Sequence, residues 1–207
     1  MKPKQLKLKN RARALVIVAH PDDEIIWMGG VLLRFPDLDW TVCSLCRASD
    51  ADRAPKFGRV MERLGARGRI FDLEDSDLMT LEESVPLIKK MIVENFATEK
   101  FDYLFTHNLN GEYGHIRHIG IYLAVSELLV EKKLDALTVY FFSYERIRRK
   151  LMPMVPAKDS QFVLELTASE YEEKRRIVAE IYGYPYSGID VSLCSNVEGF
   201  VKFGSII

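Results

Sequence analysis

Short apolar runs alternate with longer amphipathic stretches along the first two thirds of the chain. The runs are too short for helices and are rich in branched residues, a pattern that predicts strands. The predicted strands are Arg13–Ala19, Trp40–Cys46, Arg69–Leu73, Tyr103–Thr106 and Leu137–Phe142. The stretches between them predict helices at Asp22–Arg34, up to Leu64, at Leu81–Thr98 and up to Lys132. This alternation predicts an α/β fold, a Rossmann-like three-layer sandwich around a mostly parallel sheet.

The last third has a less regular pattern. Gln161–Leu166 predicts one more strand, and Glu170–Tyr182 predicts a charged helix that is capped by Ser169 and stopped by Gly183. The remaining segment, Tyr184–Ile207, is rich in Ser and Gly and is expected to be irregular. Because no repeat or linker divides the chain, residues 1–207 are expected to form a single domain.

Composition excludes several classes of protein. A hydrophobic share of 48% and a charged share of 29% are typical of a globular domain, and a net charge of −1 argues against a dedicated nucleic-acid binder. No apolar run approaches the ~20 residues of a transmembrane helix. We therefore expect a small-molecule substrate, no nucleic acid and no transmembrane segment, and a homo-oligomer is left open.

The start of the chain carries no secretory apolar region, so the expected compartment is the cytoplasm. The basic stretch Met1–Arg13 is expected to be a solvated terminal segment rather than a membrane-surface arm. Cys43 and Cys46 form a C-x-x-C pair within a predicted strand, where positions i and i+3 face opposite sides. The pair is then poorly placed for a redox or zinc role, and both cysteines are expected to be apolar fillers.

The stretch Ala19-His20-Pro21-Asp22-Asp23-Glu24 directly follows the first predicted strand. The carboxyl end of a buried parallel strand lies at the rim of the sheet, where α/β proteins bind ligands. One Asp is enough to cap the helix that follows. The histidine and the two further acids therefore indicate chemistry rather than capping alone.

The other three histidines of the chain, His107, His115 and His118, follow the fourth predicted strand. The first and fourth strands of a doubly wound sheet are typically neighbours, so the two loops are expected to converge on one crevice. Three protein ligands and an open position characterise a catalytic zinc site. His20 and Asp23 can face one ion together with one histidine of the second loop, which leaves a further carboxylate free to act as general base.

These stretches resemble the PIG-L/LmbE-like family of zinc-dependent de-N-acetylases, which act on N-acetylglucosamine-containing substrates and related amides. The resemblance rests on AHPDDE at residues 19–24, on Met28-Gly29-Gly30 and on Gly111-Glu112-Tyr113-Gly114-His115-x-x-His118, and covers roughly the first 130 residues. It implies one Zn²⁺ per chain. It also implies a hydrolase that removes an N-acetyl or similar N-acyl group from an amino-sugar-containing substrate.

By position, the resemblance implies a set of zinc ligands, which are His20, Asp23 and His118. Asp22 falls on the general base that activates the zinc-bound water for attack on the amide. His115 falls on the residue that stabilises the transition state, and Tyr113 on one that helps to bind the oxyanion. Arg53 and Asp75 occupy loop positions at which relatives contact the sugar, although a surface ion pair explains either residue equally well.

One position departs from the family pattern. Many relatives carry Pro-Asp between the two histidines, with the acid orienting the catalytic imidazole, whereas this chain carries Ile116 and Arg117. An arginine lowers the pKa of a nearby imidazolium. Two alternatives follow: another acid such as Glu112 orients His115, or the enzyme is tuned differently.

Other functions fit parts of the pattern. A family-like amidase would act on a non-sugar amide, and a metal-binding member with lost or altered activity would keep the ligands. His20, Asp22 and His118 also fit the two-histidine, one-carboxylate triad of non-haem iron oxygenases, although those sites usually lie on β-rich barrels. A nucleotide site at Gly29-Gly30 lacks the G-x-G-x-x-G turn.

Overall fold

The structure is a computed structural model that describes residues 2–76, 78–147 and 154–204. The strands are β1 (Lys4–Gln5), β2 (Arg13–Val18), β3 (Asp39–Ser44), β4 (Arg67–Ile70), β5 (Lys100–Thr106), β6 (Asp135–Phe142), β7 (Tyr144–Arg146), β8 (Met154–Pro156), β9 (Phe162–Glu165) and β10 (Val197–Lys202). The helices are α1 (Asp23–Arg34), α2 (Arg53–Leu64), α3 (Leu81–Phe96), α4 (Gly111–Gly114), α5 (Ile116–Val130), α6 (Ala168–Arg176) and α7 (Ile189–Leu193). A π-helical turn, Ile177–Ile181, continues α6.

Eight of the strands form one sheet in the order β1-β9-β10-β6-β5-β2-β3-β4, and β7 and β8 form a separate antiparallel pair. The pairs β5–β6, β5–β2, β2–β3, β3–β4 and β1–β9 are parallel, whereas β10 runs antiparallel to both of its neighbours. The predicted neighbourhood of the first and fourth predicted strands is confirmed, because β2 pairs directly with β5. This arrangement opens a crevice at the carboxyl ends of β2 and β5.

Alternate side chains of β2 enter two separate hydrophobic cores, one on each face of the sheet. Val16 and Val18 pack with α1, α2 and the C-terminal helices, while Leu15 and Ile17 pack with α3 and α5. Helices therefore cover both faces, and the predicted three-layer α/β sandwich is confirmed. That residues 1–207 form one domain, and that the protein is cytoplasmic, stay predictions.

Helix α1 is broken at Met28, whose φ of −145° and ψ of 22° are not helical. The break frees the N–H groups of Gly30 and Val31, which donate to the two carboxylate oxygens of Glu198 at 2.7 and 2.9 Å. Glu198 is fully buried and pairs with the buried ammonium of Lys174 at 2.7 Å. A strand residue near the C-terminus thus completes the backbone hydrogen bonding of the first helix.

The carbonyl of Trp27 on the other side of this break accepts a hydrogen bond from the hydroxyl of Tyr144. Tyr144 is itself fully buried at the start of β7. The first turns of α1 are therefore a separate short helix, held at one end by the C-terminal third of the chain.

Three predictions for the chain ends are wrong. The helix in the last third begins after Thr167 rather than after Ser169, since Thr167 and Glu170 form a reciprocal capping box. The segment predicted to be irregular contains α7 and β10, and its residues 205–207 lie outside the described residues. The N-terminal stretch is not merely solvated, because β1 pairs with β9 and Leu6 is only 3% exposed.

Cys43 and Cys46 lie on the same side of the sheet, contrary to prediction. The strand ends at Ser44, so the alternation of faces does not extend to Cys46, and both cysteines pack in the core that contains α3 and α5. Burial raises the pKa of each thiol above its ordinary value. Both are free and buried. The sulfur of Cys46 lies within 4.8 Å of donor atoms of His20 and Asp75, so the role of apolar filler stays a prediction for Cys46. Within the described part of the chain, no helix has the length and apolar character that a membrane span requires.

Candidate metal centre

The four histidines meet at the carboxyl ends of β2 and β5. His20 follows β2 and His107 follows β5, and the parallel pairing of the two strands brings these loops together. The ring centroids of His107 and His118 are 3.7 Å apart, those of His115 and His118 are 4.7 Å apart, and those of His20 and His115 are 4.8 Å apart. Residues that are almost a hundred positions apart in sequence therefore form one cluster.

Asp23 lies at the centre of this cluster, in the first turn of α1. Its Oδ2 is 3.2 Å from Nδ1 of His20 and 3.3 Å from Nε2 of His118. Its Oδ1 accepts the indole N–H of Trp27 at 2.8 Å, which fixes the carboxylate plane. The three residues that the sequence resemblance implies as ligands thus have donor atoms within 4.8 Å of one another.

His118 is fully buried, and its Nε2 has no hydrogen-bond partner among the described residues. The contact with Asp23 at 3.3 Å does not have hydrogen-bond geometry. The other ring nitrogen, Nδ1, is 2.6 Å from the carboxylate of Glu112. An imidazole that donates through Nδ1 presents the Nε2 lone pair, so this unpartnered atom fits a metal ligand, and a donor set of two histidines and one aspartate is one that zinc accepts.

The charges at this point favour a cation. Burial disfavours a charged His118, but Asp23 and Glu112 outweigh burial and raise the pKa of His118 to about 10, so a bound metal ion would replace the proton that Nε2 otherwise carries. Burial likewise opposes ionisation of Asp23, yet the histidines hold its pKa well below the ordinary value. The two carboxylates therefore attract positive charge to the position between Asp23 and His118.

Asp75 supports His20 from the side opposite Asp23. Its Oδ1 is 2.9 Å from Nε2 of His20, and its Oδ2 accepts from the guanidinium of Arg47 at 2.6 Å. These contacts lower the pKa of Asp75 to about 2 against the opposing effect of burial. Asp75 lines the cavity, where a substrate-contacting residue is expected. Both of its oxygens, however, already form hydrogen bonds with His20 and Arg47.

Asp22 has a backbone φ of 127°, a strained value for a residue with a side chain. Its Oδ2 accepts from Nη1 of Arg53 at 2.8 Å and from the hydroxyl of Tyr184. Burial and the adjacent charge of Asp23 raise the pKa of Asp22 to about 6. Asp22 is therefore a carboxylate of raised basicity beside the donor set, as a general base requires.

His115 caps α5 with its own ring. Its Nδ1 accepts the backbone N–H of Arg117 at 3.2 Å, so a neutral ring carries its proton on Nε2. Burial, together with the charges of His118 and His20, lowers the pKa of His115 to about 4. The ring of Tyr113 lies 5.8 Å from that of His115, and both residues line the same cavity.

Arg117 does not take the place of the acid found in relatives. Its guanidinium is fully buried and does not contact His115. It donates hydrogen bonds to the carbonyl of Glu74 at 2.8 Å, to the carboxylate of Glu74 at 2.7 Å and to the carbonyl of Met79 at 3.1 Å. Nor does Glu112 orient His115, because its carboxylate contacts His107 and His118. Of the two alternatives left by the sequence, the substitution by Glu112 is therefore wrong.

The iron triad of His20, Asp22 and His118 also disagrees with the structure. Asp23, not Asp22, is the carboxylate that contacts both histidines. Asp22 is bound instead by Arg53 and Tyr184. The fold is an α/β sandwich rather than a β-rich barrel.

A cavity of about 170 Å³ opens onto the donor set. The residues that line it are His20, Asp22, Asp23, Ile26, Trp27, Arg47, Arg53, Asp75, Tyr113, His115, Asp190 and Leu193. Sequence reasoning missed Trp27 and Asp190, which packing brings to the site without a local signal. It placed His107 at the crevice without giving it a role, and it did not predict that Tyr184 contacts Asp22.

Residues 15–129 match the PIG-L family, which is described as GlcNAc-PI de-N-acetylase. The chain belongs to this family. It is 25% identical, over 84% of its length and 77% of the relative's, to an uncharacterised protein of Acanthamoeba polyphaga mimivirus.

Two solved structures share the fold. N,N'-diacetylchitobiose deacetylase from Pyrococcus horikoshii superposes with a TM-score of 0.65 at 14% identity, over 92% of this chain and 83% of that one. GalB, the 4-carboxy-2-hydroxymuconate hydratase of Pseudomonas putida, superposes with a TM-score of 0.58 at 15% identity, over 95% and 98%. Family membership supports a de-N-acetylase, while the hydratase shows that the same fold also hosts other chemistry.

Proposed function

We propose that this protein is a zinc-dependent hydrolase that removes an N-acetyl or similar N-acyl group from an amino-sugar-containing substrate. The observation that carries the proposal is the convergence of His20, Asp23 and His118, with the unpartnered Nε2 of His118 directed at Asp23. Membership of the PIG-L family supports the same reaction.

His20, Asp23 and His118 would hold one Zn²⁺. The ion would act as a Lewis acid that lowers the pKa of a water molecule and polarises the substrate carbonyl. Trp27 and Asp75 hold Asp23 and His20 in place through hydrogen bonds of 2.8 and 2.9 Å, which is the support that metal ligands require.

Asp22 would take the proton of the attacking water. Its raised pKa favours proton uptake, and Arg53 and Tyr184 hold the carboxylate through Oδ2 at the wall of the cavity. General-base catalysis of this kind contributes roughly 10²–10⁴-fold to the rate. The same carboxyl group can return the proton to the leaving amine, which releases acetate and the free amine.

His115 and Tyr113 would stabilise the tetrahedral oxyanion. Since Nδ1 of His115 accepts a backbone N–H, the Nε2–H of its neutral ring is free to donate to the oxyanion. Tyr113 supplies a phenolic hydroxyl in the same cavity. Donors of this kind, fixed before the reaction, each contribute about 10²–10³-fold in other hydrolases.

The walls of the cavity suit a hydroxylated substrate. Arg47, Arg53, Asp75 and Asp190 supply charged hydrogen-bonding groups, while Ile26 and Leu193 supply an apolar wall. Sugars present both kinds of surface, since hydroxyl groups ring an apolar face. The deacetylase from Pyrococcus horikoshii acts on N,N'-diacetylchitobiose, which is also an acetylated amino sugar.

A mass-spectrometric screen of acetylated amino sugars, their conjugates and non-sugar amides with the zinc-loaded protein tests the proposal, with Asp22→Asn as the control. We expect loss of one acetyl group from at least one amino sugar, and a fall of at least 10²-fold in turnover for the control. If only non-sugar amides are cleaved, the protein is a family-like amidase. If no amide is cleaved although zinc is bound, it is a metal-binding member that has lost or changed its activity.

A further inference from the structure

Glu112 lies between two histidines and contacts both with one oxygen. Its Oε2 is 2.8 Å from Nδ1 of His107 and 2.6 Å from Nδ1 of His118, and all three side chains are fully buried. The two rings stack at 3.7 Å with an angle of 19° between their planes. A carboxylate that bonds to both rings determines which nitrogen of each ring carries a proton.

The far nitrogen of His107 is also assigned by a contact. Its Nε2 accepts the backbone N–H of Ala19 at 3.0 Å, so the proton of this ring is on Nδ1, where it is donated to Glu112. His107 lies only 3.6 Å from Asp23. Although His107 is this close to Asp23, the lone pair of its Nε2, which a metal would need, already accepts the N–H of Ala19.

His118 is in the opposite situation. It makes the same Nδ1 contact with Glu112, but its Nε2 has no hydrogen-bond partner among the described residues. The two stacked rings therefore differ only in what their Nε2 atoms face. Nε2 of His107 accepts the backbone N–H of Ala19, which links the end of β5 to the end of β2, whereas Nε2 of His118 faces Asp23.

We infer that Glu112 is a positioning residue that holds His118 as an Nε2 metal ligand through its Nδ1–H, with His107 as a structural partner of Glu112 and not a ligand. The inference rests on the proposed metal site, and it adds two residues to which no role has been assigned. It excludes a metal site formed by His107, Glu112 and His118, because Nδ1 of each histidine is already hydrogen-bonded to the carboxylate of Glu112.

The backbone of Glu112 supports this assignment. Its φ is 57°, a left-handed value that is uncommon for a glutamate, and Gly111 before it has a φ of 56°. The side chain of Asn110 accepts the backbone N–H of Glu112 at 3.1 Å, and the second carboxylate oxygen of Glu112 accepts from the backbone of Asn108 at 3.1 Å. Hydrogen bonds within the loop thus hold Glu112 in a backbone conformation that a glutamate rarely adopts, and this conformation directs its carboxylate inward.

Glu112→Gln tests the inference by affinity for Co²⁺, measured by competition with a chelator and without any substrate. A glutamine that keeps its oxygen between the two rings turns its N–H₂ towards the backbone N–H of Asn108, and one that turns its oxygen to Asn108 places the N–H₂ against both ring N–H groups. Neither orientation satisfies all three contacts. We expect Co²⁺ binding to weaken 10–100-fold. Glu127→Gln is the matched control on the exposed side of α5, where Glu127 pairs with Lys89, and should bind Co²⁺ like the unmodified protein.

Glu112→Asp keeps the carboxylate and shortens its reach, so we expect it to recover part of the lost affinity. A folded Glu112→Gln protein that binds Co²⁺ within twofold of the unmodified protein would overturn the inference. The unmodified protein provides a test that does not depend on a variant. Loaded with ¹¹³Cd²⁺ and labelled with ¹⁵N, it should show cadmium coupling to Nε2 of His118 and none to His107.

Coupling of ¹¹³Cd to His107, or coupling to His118 through Nδ1, would contradict the inference, as would failure of the protein to bind Co²⁺ or Cd²⁺ at all. These measurements are independent of turnover. If the cadmium couplings are as expected but no amide is cleaved, the proposed hydrolase activity fails and the inference stands. If amides are cleaved but His107 is coupled to the metal, the inference fails and the hydrolase activity stands.

Discussion

The hydroxyl of Tyr184 donates a hydrogen bond to Oδ2 of Asp22, from 162 residues further along the chain. The guanidinium of Arg53 bonds to the same oxygen and also lies 4.8 Å over the ring of Tyr184. The proposed base is therefore held by a residue of the C-terminal third, outside the span that matches the family. Its basicity depends on that contact.

Tyr184→Phe is expected to move the acidic limb of the pH–rate profile to higher pH. The hydrogen bond from Tyr184 stabilises ionised Asp22 and lowers its pKa, so its removal raises the pKa further above the ordinary value. The base acts in its ionised form, and activity falls as pH drops through this pKa, so a higher pKa moves the limb upward by about one unit. The measurement is kcat/KM as a function of pH.

Tyr186→Phe is the matched control for that experiment. Tyr186 is exposed, and its hydroxyl donates to Glu172 rather than to a residue of the site. Its loss should leave the profile where it is. If the acidic limb of the pH–rate profile also stays in place in Tyr184→Phe, ionisation of Asp22 does not determine that limb.

Zinc should stabilise the folded protein through His118. A ligand that binds only the native state adds about 2.7 kcal/mol at a free concentration a hundred times its Kd. We expect Zn²⁺ to raise the melting temperature of the unmodified protein and of Asp22→Asn, but not that of His118→Ala. Melting curves with zinc and with a chelator measure this, and elemental analysis gives the bound metal per chain. An equal rise in His118→Ala would place the ion elsewhere.

Arg117→Met is expected to destabilise the protein and to weaken metal binding. The substitution leaves the carbonyls of Glu74 and Met79 without their buried donor, at a cost of about 1–3 kcal/mol each. Glu74 precedes Asp75, which holds His20, so the loosened loop should also reduce zinc affinity. Denaturant unfolding and zinc titration measure the two effects.

Arg117→Asp would restore the acid that many relatives carry at this position, and it should be worse than Arg117→Met. The new carboxylate would replace a cation that faces the carboxylate of Glu74 and two carbonyl oxygens. We expect a lower free energy of unfolding than for Arg117→Met, with no gain in turnover. Increased activity would mean that the acid does orient His115 in this chain.

Gly199→Ala should cost at least about 1–3 kcal/mol of stability. A Cβ there would lie 2.6 Å from the carbonyl oxygen of Ser143 and 3.0 Å from Cα of Pro156, which are backbone atoms that cannot move aside independently. Gly58→Ala is the opposite case, a helical glycine with no described atom within 4 Å of the new methyl group. It should stabilise α2 by about 0.8–1 kcal/mol. Thermal unfolding of the two variants should therefore change in opposite directions.

Local spacing predicted His20, Asp23 and one histidine of the second loop as donors, because they lie where strands end, and the family resemblance selected His118. His20 and Asp23 flank one turn after β2, and His118 lies in the loop and helix that follow β5, so the order of the strands is enough to bring them together. The same local signals predicted the alternation of strands and helices. The fold class needed no knowledge of side-chain contacts.

The residues that support the donors could not be predicted, because their contacts are long-range. Trp27 has the sequence context of an ordinary core residue, and nothing local shows that its indole reaches Asp23. Tyr184 precedes a proline in a stretch without periodicity. The direction of the Arg117 side chain depends on where the loop that contains Glu74 packs.

The missed strand β10 has a physical explanation. Glu198 and Gly199 interrupt its apolar pattern, and each makes a contact with a distant element. Glu198 forms an ion pair with Lys174, and Gly199 packs directly against the backbone of Ser143. Thr167 was missed as a cap for a simpler reason. Thr167 and Glu170 have the spacing of a capping box, but Ser169 is closer to the predicted helix.

The break in α1 at Met28 makes the proposed metal ligand Asp23 dependent on the C-terminal third of the chain. All proposed ligands lie between residues 20 and 118, yet the short helix that carries Asp23 is held by Tyr144, and the helix after the break is held by Glu198. A fragment ending after residue 130 would contain every proposed ligand and the whole family span, but would leave the freed backbone groups of α1 without partners. Such a fragment should not bind zinc. Transfer of the proposed metal site to another scaffold would therefore also require groups that make the contacts of Tyr144 and Glu198 with α1.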